Sequence, residues 1–259
     1  MHSKELTAAL DAARAAGEII RGAYRKNFDV TIKADASPVT EVDVACEHKI
    51  REILDAACPN YGFFGEETGQ YDMDAEAIWL IDPLDGTKSF VRGYPFISTQ
   101  IALMRDGELV LGVSSAPLFD ELAWAEKGRG ASLNGEALKV SAIDNWPKAT
   151  LSTGNIASLT REPAAWSALG ELIGQVHRIR GYGDFYHYHL LSAGRIDAVV
   201  ESDVNILDIA ANTVILREAG GVICDLRGQD VGLETTSVVA ANAALHADLL
   251  GRFSDCGVG

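Results

Sequence analysis

Leu6, Leu10, Ala13, Gly17, Ile20 and Tyr24 recur at three- and four-residue steps, the spacing that lines one face of an α-helix. Residues 4–26 are therefore predicted to be helical. A second helix is expected from about Thr40, carrying Cys46, Ile50, Ile53 and Leu54 inward and stopping ahead of Pro59. Short apolar runs at 61–65 and 77–81 then read as strands, followed by 97–104, 108–114, 121–126 and a piece ending at Asn134-Gly135. Asp106-Gly107 and Asn134-Gly135 are pairs that favour tight hairpin turns. The first half thus predicts helices on a largely antiparallel sheet.

Near Asn145-Trp146-Pro147 the pattern changes. Strands at 149–153, 176–180, 196–200, 221–225 and 237–241 alternate with helices at 163–175, 184–193, 206–219 and 243–253. Pro163 near a helix start, with Gly194 and Gly220 just past helix ends, follows the usual asymmetry of helix termini. Such alternation predicts an α/β second half. Two domains are expected, residues 1–146 and 147–259.

Composition narrows the picture only a little. The chain has 259 residues, 47% apolar and 23% charged, and a formal net charge of −15. That charge argues against a nucleic-acid surface, which needs clustered Lys and Arg. Cys46, Cys58, Cys224 and Cys256 are scattered, without a C-x-x-C pair, so neither a disulfide framework nor a zinc site is expected. No apolar run has the length of a membrane span, and the N-terminus lacks a signal peptide's apolar stretch. A cytoplasmic protein is expected.

The chemistry concentrates where the run Trp79-Leu80-Ile81 meets Asp82-Pro83-Leu84-Asp85-Gly86-Thr87. Carboxylates at the end of an apolar strand are costly unless paired. Pro83 has no N–H and is expected to stop the ladder, so that the turn brings Asp85 back beside Asp82. Gly86 allows close approach to the backbone. A helix beginning near Thr87 would aim the Gly86 and Thr87 N–H groups at a phosphate. Oxygen ligands of this kind suit Mg²⁺.

Other acidic signals are weaker alone. Glu66-Glu67 follows an apolar strand in a glycine-flanked loop. Asp208, three residues after Asn205, reads as half of a capping box, and so does Asp43 after Thr40.

Taken together, Gly65-Glu66-Glu67, Trp79-Leu80-Ile81-Asp82-Pro83-Leu84-Asp85-Gly86-Thr87, Leu207-Asp208-Ile209-Ala210-Ala211 and Glu218-Ala219-Gly220-Gly221 resemble the motifs of the inositol monophosphatase-like phosphatases. The likeness extends over nearly the whole chain. One departure is Leu207, where the family usually carries Trp. The resemblance implies a layered α/β/α/β/α fold, a homodimer, and hydrolysis of a small-molecule phosphate monoester with two or three Mg²⁺ ions. It implies that Glu66, Asp82, Asp85 and Asp208, with the Leu84 carbonyl, hold the metals. Asp43 and Thr87 would orient the attacking water, with Glu66 a further member of the catalytic set, and Gly86 and Thr87 would bind phosphate. Glu67 is implied as a peripheral member acting through water, and Lys33 as a basic residue reaching in from the N-terminal loop.

The same resemblance implies that the alcohol pocket is bordered by Asp184, in Arg180-Gly181-Tyr182-Gly183-Asp184-Phe185, and by Glu201, at the end of the strand 196–200. Two acids there suit a cationic alcohol. These segments, and Lys88 with Arg92-Gly93, resemble the histidinol-phosphatase branch, so L-histidinol phosphate is the expected substrate. The alternatives are inositol 1-phosphate or a range of polyol and sugar phosphates. A protein-interaction role in ribosomal RNA transcription, which some family members serve, is an alternative of another class. His187 and His189 lie two apart on a predicted helix, where side chains diverge, so neither is expected to be a metal ligand.

Overall fold

The computed structural model describes residues 2–26, 30–32, 38–254 and 256. Helix α1 (Lys4–Ala23) is capped by Ser3, whose hydroxyl oxygen accepts the Leu6 N–H. Strands β1 (Val30–Ile32) and β2 (Pro38–Thr40) pair antiparallel and lead into helix α2 (Glu41–Ala57). There follow β3 (Gly62–Gly65), β4 (Gly69–Tyr71), β5 (Ala77–Asp85), the short helix α3 (Thr87–Arg92), β6 (Ser98–Arg105) and β7 (Glu108–Ala116). Next are β8 (Glu121–Glu126), β9 (Ala131–Leu133) and β10 (Glu136–Ala137). Strands β3 to β10 form an eight-stranded sheet in the order β10-β9-β8-β7-β6-β5-β3-β4. Every pairing in it is antiparallel except β3 with β5.

The second half contributes β11 (Thr150–Thr153), α4 (Pro163–Ile173), β12 (Arg178–Arg180), α5 (Asp184–Ser192), β13 (Ala198–Ser202) and α6 (Ile206–Glu218). It ends with β14 (Gly221–Cys224), β15 (Ser237–Asn242) and α7 (Ala243–Gly251). Its five strands form a sheet ordered β12-β11-β13-β15-β14, parallel at the first two pairings and antiparallel at the last two.

Three apolar clusters stack these elements into layers. Leu6, Ala13 and Ile20 of α1 and Ile50 and Leu54 of α2 pack on Trp79, Ile81 and Leu103 of the first sheet. The opposite face of that sheet, through Leu80, Ala102 and Ala123, meets Leu191 of α5 and Ile209 and Val214 of α6. The same cluster continues to Val199, Val238 and Ala240 of the second sheet. Leu169, Leu172, Leu245 and Leu249 of α4 and α7 cover its far face. The result is the layered α/β/α/β/α arrangement that the motifs implied. Sandwiched between two sheets, α6 is buried on nearly every side, and each such large aliphatic side chain contributes about 1.5–3 kcal/mol. The helix runs so close over β7 that a Cβ at Gly112 would lie 2.3 Å from the Ala211 carbonyl oxygen.

The differences from the sequence reading are local. Helix α1 stops at Ala23 and α7 at Gly251, earlier than the patterns predict. Strand β5 extends through Asp85 rather than ending at Ile81. The edge strand β4 is additional. The piece at Asn134-Gly135 is the hairpin β9–β10, with both turn residues at positive φ. Strand β13 is displaced toward the C-terminus, so Glu201 lies inside it and pairs with Val238 of β15. Among the described residues no helix is long and apolar enough to cross a membrane.

Candidate functional site

Asp82 and Asp85 belong to a strand buried along its whole length, held between β6 and β3. Contrary to the expected stop at Pro83, the β5–β6 ladder continues across it with a register shift, from Asp82 opposite Gln100 to Asp85 opposite Ser98. The missing proline N–H makes this irregularity cheap. The Thr99 hydroxyl donates to the Pro83 carbonyl at 2.9 Å, and the Leu84 N–H donates to Asp82 Oδ1 at 2.9 Å. Gly86 follows at φ +88, and a Cβ there would sit 2.4 Å from the Phe96 carbonyl oxygen, so only glycine fits. Helix α3 starts at Thr87, as expected.

Parallel pairing of β3 with β5 sets Gly65 opposite Ile81, so Glu66 emerges beside Asp82 and its N–H donates to the Ile81 carbonyl. Asp208 arrives from the far layer as the third residue of α6. It also completes the capping box, because the Asn205 backbone N–H donates to its Oδ2 at 3.1 Å. One oxygen each from Asp82, Asp85 and Asp208 lie within 4.8 Å of one another. Glu66 lines the same cavity, about 480 Å³ in volume.

Crowding leaves a clear electrostatic mark. Burial, then the charges of Glu66, Asp85 and Asp208, hold the Asp82 carboxyl well above the usual carboxylate range. Burial, Asp184 and Asp208 do the same to Asp85. Asp208 is pushed up to about 7, chiefly by burial, with a backbone hydrogen bond from Asn205 opposing the rise. Buried carboxylates that repel one another are stabilised when a divalent cation sits among them. The donor set, all hard oxygen, fits Mg²⁺.

Two further acids come from α2. The Thr87 hydroxyl lies 2.8 Å from Asp43 Oδ1 and 3.0 Å from the Leu84 carbonyl oxygen. Asp43 is fully buried, and its Oδ2 accepts the Thr40 N–H at 2.8 Å and also the Thr40 hydroxyl. One turn on, the fully buried Glu47 accepts the N–H groups of Glu67 and Thr68 at 2.8 and 2.6 Å. It fixes the backbone of the Glu66–Glu67 loop and was not singled out from the sequence. A signal was there: Glu47 lies four residues from Asp43 and shares the inward face with Ile50 and Leu54.

Across the cavity, Gly183 and Asp184 adopt successive positive φ values, +68 and +46, as α5 begins. The kink places Asp184 on the cavity wall with Gly154, Asn155 and Tyr182. Burial and then Glu201 push the Asp184 carboxyl up to about 6, with His187 and Lys88 opposing. Glu201 lies deeper, in a small side cavity with Asp85, Asp184 and Tyr188. It accepts the Tyr188 hydroxyl at 2.8 Å and the Asn155 N–H at 3.2 Å, and His187 Nε2 is 3.1 Å away. A Cβ at Gly154 would collide with this carboxylate at 1.8 Å. His187 and His189 do diverge, toward Ser152 and Glu201 in one case and toward Ser114 and Glu121 in the other. The position expected for Lys33 lies outside the described residues.

The conserved pattern of the inositol monophosphatase family matches residues 2–257. The chain belongs to the inositol monophosphatase family. A histidinol-phosphatase of Mycobacterium tuberculosis (strain ATCC 25618 / H37Rv) is 37% identical, over 98% of this chain and 99% of that protein. Inositol monophosphatase 2 of Solanum lycopersicum is 36% identical, over 92% and 93% respectively. Among solved structures, the extragenic suppressor protein suhB from Bartonella henselae superposes with a TM-score of 0.90 at 31% identity, covering 98% of this chain and 99% of that one. Membership establishes a phosphatase-family fold and leaves the alcohol to be argued from the pocket.

Proposed function

We propose that this chain hydrolyses a phosphate monoester with Mg²⁺ and that its preferred substrate is L-histidinol phosphate. The observation that carries the first part is the convergence of Asp82, Asp85 and Asp208 within 4.8 Å at the floor of one cavity. Glu66, Asp82, Asp85 and Asp208, with the Leu84 carbonyl, would hold the cations. Bound there, Mg²⁺ supplies charge neutralisation of the phosphoryl group, activation of water and stabilisation of the departing alkoxide.

Charge balance supports the ion number. The proposed cation ligands that line the main cavity, Glu66, Asp82, Asp85 and Asp208, carry a formal −4 that two divalent cations match. The dianionic phosphate of a monoester raises the match to three.

The remaining roles belong to the chain's own groups. Thr87 Oγ accepts a hydrogen bond from the attacking water and, as the water's proton moves onto it, gives its own hydroxyl proton to Asp43 Oδ1. The Gly86 and Thr87 N–H groups, at the start of α3, bind the phosphoryl oxygens as charge shifts toward the leaving group. On the alcohol side, Asp184 and Glu201 would read an ammonium or imidazolium group. Tyr94 and Tyr182 also line the cavity. An inositol ring carries hydroxyls only, which can donate hydrogen bonds to these carboxylates but bring no positive charge to pair with them.

The test is phosphate release by purified protein with Mg²⁺, comparing L-histidinol phosphate and inositol 1-phosphate side by side. At least tenfold higher kcat/KM for the histidinol ester is expected. Equal rates, or preference for the inositol ester, would remove the cationic-substrate reading and leave the metal chemistry.

A further inference from the structure

A line of buried polar side chains leads away from Asp85 through the first sheet. The Ser98 hydroxyl donates to Asp85 Oδ2 at 2.9 Å. Gln100 Nε2 donates to Ser98 Oγ at 2.8 Å and to Ser114 Oγ, directly across the β6–β7 pairing, at 3.1 Å. Ser114 Oγ is 2.8 Å from His189 Nε2 on α5, and His189 Nδ1 is 2.8 Å from Glu121 Oε2 at the start of β8. Ser98, Gln100 and Ser114 are wholly buried and His189 is 2% exposed.

Donor and acceptor chemistry sets the direction of every link. The carboxylate of Asp85 only accepts, so Ser98 spends its proton there and must accept from Gln100. Gln100 therefore turns its amide nitrogen to Ser98, and its second N–H goes to Ser114. At the other end the Glu121 carboxylate only accepts, which places the single imidazole proton on His189 Nδ1; Nε2 is then the acceptor, and Ser114 donates to it. These assignments follow from the partners rather than from hydrogen positions. Two donor chains thus diverge from one amide, each ending on a carboxylate.

A buried network that only satisfied itself would have no reason to end on Asp85. Gln100 Oε1 is buried and has no hydrogen-bond partner among the described residues. An apolar residue would avoid that cost.

We infer that Ser98, Gln100, Ser114 and His189 are positioning residues that fix the Asp85 carboxylate, occupying one oxygen so that the other is presented to the cation, and that they thereby set Mg²⁺ affinity. This rests on the metal reading given above. Outer partners of this kind are worth roughly 10–100-fold in metal affinity or activity when removed. Gln100 stands opposite Asp82 across the β5–β6 pairing, whereas Ser114 and His189 meet the site only through Gln100 and Ser98, so an effect at Ser114 must travel through the chain.

The test is calorimetric Mg²⁺ binding by the full-length protein and by Ser98→Ala, Gln100→Met and Ser114→Ala, with thermal unfolding as the check on folding. Ser98→Ala is expected to raise the Mg²⁺ Kd about tenfold, and Gln100→Met and Ser114→Ala severalfold, whichever of the two folds better. In the unaltered protein, ¹⁵N NMR should show the His189 proton on Nδ1. If the unaltered protein binds Mg²⁺ and the folded variants at positions 100 and 114 bind it equally well, the relay inference fails and the metal reading stands. A proton found on Nε2 of His189 would also overturn it. If the unaltered protein binds no Mg²⁺, both fall together.

Discussion

Thr87, the first residue of α3, lies 2.8 Å from Asp43, the third residue of α2, across 44 positions of sequence. The contact ties the helix that carries a capping box to the one that follows the Asp82–Asp85 strand. Asp43 therefore serves two ends at once, the Thr40 cap through Oδ2 and Thr87 through Oδ1. Replacement by Asn keeps an acceptor for one partner and removes the base. Asp43→Asn is expected to lower kcat by roughly 10²–10⁴-fold with KM nearly unchanged. Steady-state kinetics on the purified variant check this; a matching rise in KM would instead point to a binding role.

Glu47 gives a second prediction, on stability and loop order. Its carboxylate takes the N–H groups of Glu67 and Thr68, and the space beside it is so narrow that a Cβ at Gly65 would approach Glu47 Oε1 to 2.5 Å. Glu47→Ala leaves both donors without their acceptor, at about 1–3 kcal/mol for such a group. Urea unfolding should register the loss. Mg²⁺ binding should weaken as well, because the loop carries Glu66.

How much of this was legible in the chain depends on the distance over which each feature is built. Asp82, Asp85 and Thr87 stand in one strand–turn–helix segment whose local chemistry is visible in nine residues. Asp208 and Asp43 showed only as helix caps, and they are caps; their placement beside the strand is a product of layer packing. Ser98, Gln100 and Ser114 gave no signal. They lie on strands buried on both faces, so no alternation marks a polar residue there as unusual, and their partner His189 comes from another layer. Strand β5 misled for a simple reason: a proline reads as a stop, whereas here it occupies a bulge between two neighbouring strands.

A third prediction concerns pH in the absence of metal. Burial and mutual repulsion raise the carboxyls of Asp82 and Asp85 well above the usual range, Asp208 to about 7 and Asp184 to about 6. The folded chain thus binds these protons more tightly than the unfolded one, so their contribution to stability is present at low pH and is lost as pH rises through the raised values. In EDTA, Tm should fall between pH 5.5 and pH 8 by several degrees, at ~2–4 °C per kcal/mol for a chain of this size. Adding Mg²⁺ at pH 8 should restore it, since the cation binds the folded state alone. A flat metal-free profile would show that these carboxylates are not under strain.

Glu201 separates substrate choice from catalysis. Its carboxylate is buried and already accepts from Tyr188 and Asn155. Glu201→Gln keeps the shape and removes the charge. A hydrogen bond to a charged group is worth about 1.5–3 kcal/mol, roughly ten- to hundredfold in kcat/KM. That loss is expected for L-histidinol phosphate, with a much smaller one for inositol 1-phosphate. Equal losses on both esters would mean that Glu201 only supports the pocket.

The most direct test of the metal-phosphatase account is phosphate release from L-histidinol phosphate across a Mg²⁺ titration, for the unaltered protein and for Asp82→Asn and Asp85→Asn. The account predicts activity that depends wholly on Mg²⁺ and falls by at least about a thousandfold in both variants, ΔΔG‡ near 4 kcal/mol, while their thermal unfolding stays cooperative. Full turnover in EDTA, or near-normal turnover by either folded variant, would contradict it.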